Sequence, residues 1–116
     1  MKVSFEGIGE RIISFYNNSG LPARVGAPVK LSGNGEVSAC ADGDRLVGVA
    51  IACDEDFAAV QTGGFVLLPY SGTAPAVGFG LLAADGVGGI KSVSSGGGEF
   101  LLVEVDEANK TVGFML

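Results

Sequence analysis

The stretch Phe100-Leu101-Leu102-Val103-Glu104-Val105-Asp106, its connection Glu107-Ala108-Asn109-Lys110, and Thr111-Val112-Gly113-Phe114-Met115-Leu116 decide the fold. Leu101, Val103 and Val105 recur at every second position, with Glu104 and Asp106 between them. That is the period of a strand with one buried face. Val112, Phe114 and Leu116 repeat it, and the short polar connection reads as a hairpin tip.

Strand-length apolar segments recur upstream, each bounded by Gly, Asp, Asn or Ser: 11–16, 28–31, 36–41, 46–52, 57–62, 65–70, 79–83 and 89–93. Leu46-Val47-Gly48-Val49-Ala50-Ile51 is apolar at both parities, which predicts a strand covered on both sides. Asp42-Gly43-Asp44-Arg45 carries an Asp-Gly hairpin signal, and Asp54-Glu55-Asp56 reads as a further tip. Ser32-Gly33-Asn34-Gly35 and Asp85-Gly86-Val87-Gly88 supply residues that tolerate positive φ. Glycines interrupt every helical candidate. The predicted fold is all-β, a small single-domain β-barrel or sandwich of short antiparallel strands.

Residues 1–26 read as an N-terminal strand and arm, with 17–27 lacking periodicity, and 27–116 as the β domain. Gly64-Phe65-Val66-Leu67 echoes Gly113-Phe114-Met115-Leu116, and an acidic turn precedes each copy. The echo suggests an internal duplication with repeats 27–68 and 77–116. Chance similarity in so Gly- and Val-rich a chain is the competing explanation.

At 116 residues the chain suffices for one core. Hydrophobic residues at 47% against 17% charged exclude intrinsic disorder, and the 20 glycines show no collagen period. No apolar run reaches membrane-span length, and the N-terminal residues lack a signal peptide's apolar region. Residence inside a cell, away from membranes, is the expectation. The net charge is −6 and the 7 cationic residues are scattered singly, so no nucleic-acid partner is expected.

The chain has no histidine, which removes Ser-His-Asp and Cys-His catalysis. Cys40 and Cys53 alone cannot build a four-ligand zinc site. An intracellular setting disfavours a disulfide between them, so both read as small packed thiols. Cys40 falls on the strand face opposite Val37 and Ala39 and is expected to point away from the main core. The acidic turns at 42–44 and 54–56 are separated by a strand spanning roughly 23 Å, too far to share a calcium ion. Gly78-Phe79-Gly80 lacks a dinucleotide fingerprint's third glycine, and Gly96-Gly97-Gly98 lacks the Lys-Ser/Thr of a phosphate loop. Lys91 lies inside a strand-like run and reads as a strand residue, not a biotin or lipoate carrier. No catalytic residue, metal or cofactor is therefore expected. Ile12, Phe15, Tyr16 and Leu21 are the candidate partner-binding residues, since apolar side chains outside the repeats must fill the barrel end or dock on a neighbour.

One resemblance bears on function. Gly26-Ala27-Pro28-Val29-Lys30-Leu31, then Glu36-Val37, then Gly48-Val49-Ala50 after an Asp-Gly-Asp turn, resembles small phage and prophage capsid decoration (head cement) proteins. Val60-Gln61-Thr62-Gly63-Gly64-Phe65-Val66, Pro69-Tyr70-Ser71-Gly72 and Leu82-Ala83-Ala84-Asp85-Gly86 are similar to the same type. The likeness covers about 26–116 and consists of strand and glycine positions, so no residue role transfers. It implies a structural virion protein, made in the bacterial cytoplasm, that stabilises the assembled head by binding the major capsid protein. It also implies a homo-oligomer, with a trimer favoured. The alternative is a generic β-barrel oligomerisation or ligand-binding module outside a phage context. An enzyme using carboxylates or Cys40 and Cys53 comes a distant third.

Overall fold

A computed structural model describes residues 9–116. It contains ten strands and, among the described residues, no helix. The strands are β1 (Arg11–Asn17), β2 (Pro28–Gly33), β3 (Glu36–Ala39), β4 (Gly48–Cys53) and β5 (Phe57–Gly63), then β6 (Phe65–Ser71), β7 (Gly78–Ala84), β8 (Ile90–Ser92), β9 (Gly98–Asp106) and β10 (Thr111–Met115). Every expected strand is present, with ends shifted by at most two residues.

The strands close into two five-stranded barrels, β1-β3-β2-β4-β5 and β6-β8-β7-β9-β10. The barrels share strand order and the sense of every pairing. In each, the first and third strands are parallel (Tyr16 opposite Glu36, Tyr70 opposite Ile90), and all other pairs are antiparallel. Eight of the ten pairings are antiparallel, as expected, and one pair per barrel is parallel. Each fourth strand also carries an extra residue against the fifth, Ile51 in β4 and Val103 in β9. A bulge bends its strand and sharpens its twist, which helps so small a sheet close on itself.

The barrels run over 11–63 and 65–115 and meet at Gly64, whose φ of 87° an L side chain resists. β1 is a wall of the first barrel between β3 and β5. The sequence divisions at 26/27, 27–68 and 77–116 therefore cut across the barrels. The two Gly-Phe segments behind the echo lie on β6 and β10, which pair with each other, Val66 opposite Phe114.

The bulge at Val103 revises the face assignment in β9. Leu102 is buried with Phe114, while Leu101 shares the outer face with exposed Glu99 and Glu104. One extra residue inverts side-chain parity beyond it. The expected hairpin at 42–45 is also absent, because β3 and β4 both pair with β2 and not with each other. Segment 40–47 instead reaches the second barrel. Gly43 N–H donates to Ala84 O at 2.8 Å, Ala84 N–H donates to Asp44 O at 2.9 Å, and Lys91 Nζ lies 2.8 Å from Asp42 Oδ1.

Two cores result. The first is built of small side chains, Ala23, Val29, Val37, Ala50, Ala58 and Val60, with Phe15 and Cys53 against them. The second holds Val66, Leu68, Tyr70, Leu82, Ile90, Leu102, Val112 and Phe114, and it takes in Leu46 and Val49 from the first barrel. Phe114 meets Phe100 edge-on, centroids 5.2 Å apart, an arrangement worth about 0.5–1.5 kcal/mol beyond burial. The shared core joins the barrels into one packed unit.

Candidate functional site

β1 and β5 present one outer face of the first barrel. Strand alternation turns Ile12, Ser14 and Tyr16 outward on β1, and their neighbours on β5 include Phe57 and Ala59. Tyr16 and Phe57 lie opposite one another and stack, with centroids 5.5 Å apart and planes at 29°. Both rings remain 60% and 51% exposed. Exposed Ala52 and Ile51 of β4 extend the face, Ile51 being the bulge residue. Ser14, Ala52, Phe57 and Ala59 line a shallow depression of about 220 Å³. This apolar surface is the candidate site.

The four expected partner-binding residues separate. Ile12 and Tyr16 belong to this face. Phe15 points into the first core against Ala and Val side chains. Leu21 lies on a different surface, a groove of about 560 Å³ between the barrels, with Arg24, Cys40 and Val87. Phe57 was not singled out from the sequence, since its partner Tyr16 lies on a strand 41 positions earlier and only the barrel closure joins them. A third exposed aromatic, Phe79, stands 76% exposed on β7 opposite Leu101 of β9. Flanked by Gly78 and Gly80, its ring has no adjacent side chain to mark the face.

Four carboxylates are held by local hydrogen bonds or an ion pair. Asp54 accepts the Asp56 and Phe57 N–H groups, both at 2.8 Å, and these bonds hold its carboxyl below the usual range. Burial pushes Asp85 up, but hydrogen bonds from Ser71 Oγ, Val87 N–H and Gly89 N–H outweigh it and leave the carboxyl lowered. Asp44 is lowered by Lys30 at 2.7 Å and by the Ala41 N–H. Glu36 is lowered by Ser32 and Asn18. Among the described residues no three or more acidic or Cys side chains converge to hold a metal ion.

Both thiols are free and half-buried in different places. Cys53 Sγ donates to Ala23 O at 3.3 Å in the first barrel. Cys40 packs against the second core, while Val37 fills the first. Burial first, and then the Asp44 charge, push the Cys40 thiol up to about 11, against a smaller opposing effect of Lys30. It is a poor nucleophile at neutral pH. Searches against family models and curated proteins find no match to this chain.

Proposed function

We propose that this protein is a non-enzymatic phage head decoration protein that binds the major capsid protein on the assembled shell as a homo-oligomer, with a trimer favoured. The observation that carries the reading is the apolar face of Tyr16, Phe57, Ala59 and Ala52, which we assign to the capsid contact. A protein that covers a symmetric shell gains avidity from many equal contacts, so a shallow surface suffices for each one. The resemblance of 26–116 to head cement proteins supplies the partner. The absent histidine, turn-bound carboxylates and weakly acidic Cys40 support a non-catalytic role.

The test is co-sedimentation with shells assembled from the major capsid protein of the phage or prophage that carries this chain. The protein is expected to travel with the shells and to raise their disruption temperature. Tyr16→Ser with Phe57→Ser is expected to abolish binding while the free protein stays folded, its melting temperature lowered only by the loss of the stacked pair, about 0.5–1.5 kcal/mol. Protein left at the top of the gradient at saturating concentration would overturn the reading.

A further inference from the structure

The two barrels carry an equivalent row of residues across four strands. In the first, Pro28, Val49, Gln61 and Ile12 follow one another in register over β2, β4, β5 and β1. In the second, Phe79, Leu101, Met115 and Phe65 do the same over β7, β9, β10 and β6. Val49 and Leu101 each lie one residue before the bulge pair, next to Ala50 and Leu102. The rows nevertheless differ in cover. Val49 is 6% exposed and belongs to the second barrel's core, and Gln61 Nε2 donates to Phe65 O at 3.1 Å. Residues 65–68 of β6 line one cleft with Val49 and Gln61. The second barrel thus seats its β6 on the first row, while in the second row Phe79 is 76% exposed and Leu101 37%.

We propose that a second copy of this chain covers the Phe79–Leu101 row, seating its own β1 there as β6 seats on Val49 and Gln61 within the chain. The β1 residues equivalent to 65–68 are 12–15, matched through the pairings of Ile13 with Val60 and of Val66 with Phe114. Ile12 and Ile13 are exposed in the single chain, as such a contact requires. Charge is complementary. Exposed Glu99 and Glu104 flank Leu101 on its outer face, and exposed Arg11 stands beside Ile12, its Nε donating to Thr62. The contact continues the chain's internal barrel-on-barrel interface from one copy to the next. Because it joins two different surfaces, it is head-to-tail and closes only as a ring. The inference rests on the self-association in the reading above and is independent of the capsid.

Sedimentation of the full chain tests it. The wild type is expected to form an oligomer at millimolar concentration and to dissociate on dilution. Leu101→Ser, Phe79→Ser and Ile12→Ser should each weaken association about tenfold or more, as loss of a central anchor does, with melting of the diluted monomer unchanged. Cysteine mixing adds the orientation, in a Cys40→Ala, Cys53→Ala background shown folded by circular dichroism. Ile12→Cys chains mixed with Leu101→Cys chains should form a mixed disulfide dimer, and neither should form one alone. If that background fails to fold, the sedimentation result alone decides. A wild type monomeric at every concentration would overturn the proposal, as would an oligomer that survives Leu101→Ser. So would Leu101→Cys cross-linking to itself, or no cross-link in the mixture. A monomer destabilised by Leu101→Ser to the extent of a core substitution would also overturn it, because Leu101 would then be covered within its own chain. Failure to bind shells, with the oligomer intact, would count against the phage reading and not against this contact.

Discussion

The ring of Phe65 on β6 lies directly over Gly113 on β10, so close that a Cβ at 113 would stand 2.5 Å from Cζ. The glycine lets the aromatic ring cross the neighbouring strand and close the second barrel where its first and last strands meet. Gly113→Ala is therefore expected to destabilise by about 1–3 kcal/mol, the usual cost of overpacking. Phe65→Leu in the same chain should recover part of it. Gly80→Ala is the control, since its Cβ would meet Leu102 at an ordinary 3.7 Å. Thermal melts of the four chains decide, and equal losses at 113 and 80 would contradict the account.

Val49 and Leu101 provide a second comparison, because they hold equivalent positions beside the same bulge. Val49→Ala removes two methyl groups from a closed core, and a loss of about 1–2 kcal/mol is expected. Leu101→Ala removes a larger side chain from a surface and should cost under about 0.5 kcal/mol in the diluted monomer. Size alone predicts the reverse order. Chemical denaturation of both variants reads the difference directly.

The sequence made the strands legible because period-two alternation and turn glycines act over a few residues. The ten strands follow from such signals, including the apolar run at 46–51, which is buried at 46 and 48–50, partly buried at Val47 and exposed at Ile51. The barrel division was less legible. β1 closes a sheet with β3 and β5 through pairings spanning twenty to fifty residues, and no local pattern records which strand returns beside which. The bulge at Val103 hid Leu101 in the same way, since an apolar residue reads alike on either face until the parity break is seen. Of the candidate surface, Ile12 and Tyr16 were readable as apolar residues outside the suggested repeats, together with the core-facing Phe15, whereas Phe57 and Phe79 needed the strand neighbours.

Acid should loosen the second barrel at its β7–β8 turn. Asp85 accepts Ser71 Oγ at 2.6 Å and the N–H groups of Val87 and Gly89 at 2.8 and 2.9 Å. Its carboxyl is lowered in the folded chain, so its stabilising effect is complete above the ordinary carboxylate value. That effect is lost as pH falls through the lower folded value, in a window below about pH 4. Asp85→Ala should cost about 1–2 kcal/mol at pH 7 and remove this part of the acid transition. Asp85→Asn, which keeps an acceptor for the two N–H groups, should cost less. A wild-type acid profile in Asp85→Ala would rule this out.

Cys40 should resist alkylation in the folded protein for an electrostatic as well as a steric reason. It sits half-buried between the barrels, where burial and then the negative charge of Asp44 favour the neutral thiol, giving a value of about 11. At pH 8 the reactive thiolate is then on the order of a thousandth of the thiol. Asp44→Asn removes one of the two raising influences and leaves Lys30, which acts in the opposite direction, so alkylation should quicken. Lys30→Ala removes the only lowering influence, and the rate should fall. Iodoacetamide labelling between pH 7 and 10, followed by mass spectrometry of the Cys40 peptide, separates this thiol from Cys53. Steric shielding alone predicts the same rate for all three chains. An Asp44→Asn rate at or below the wild-type rate would remove the electrostatic part of the explanation.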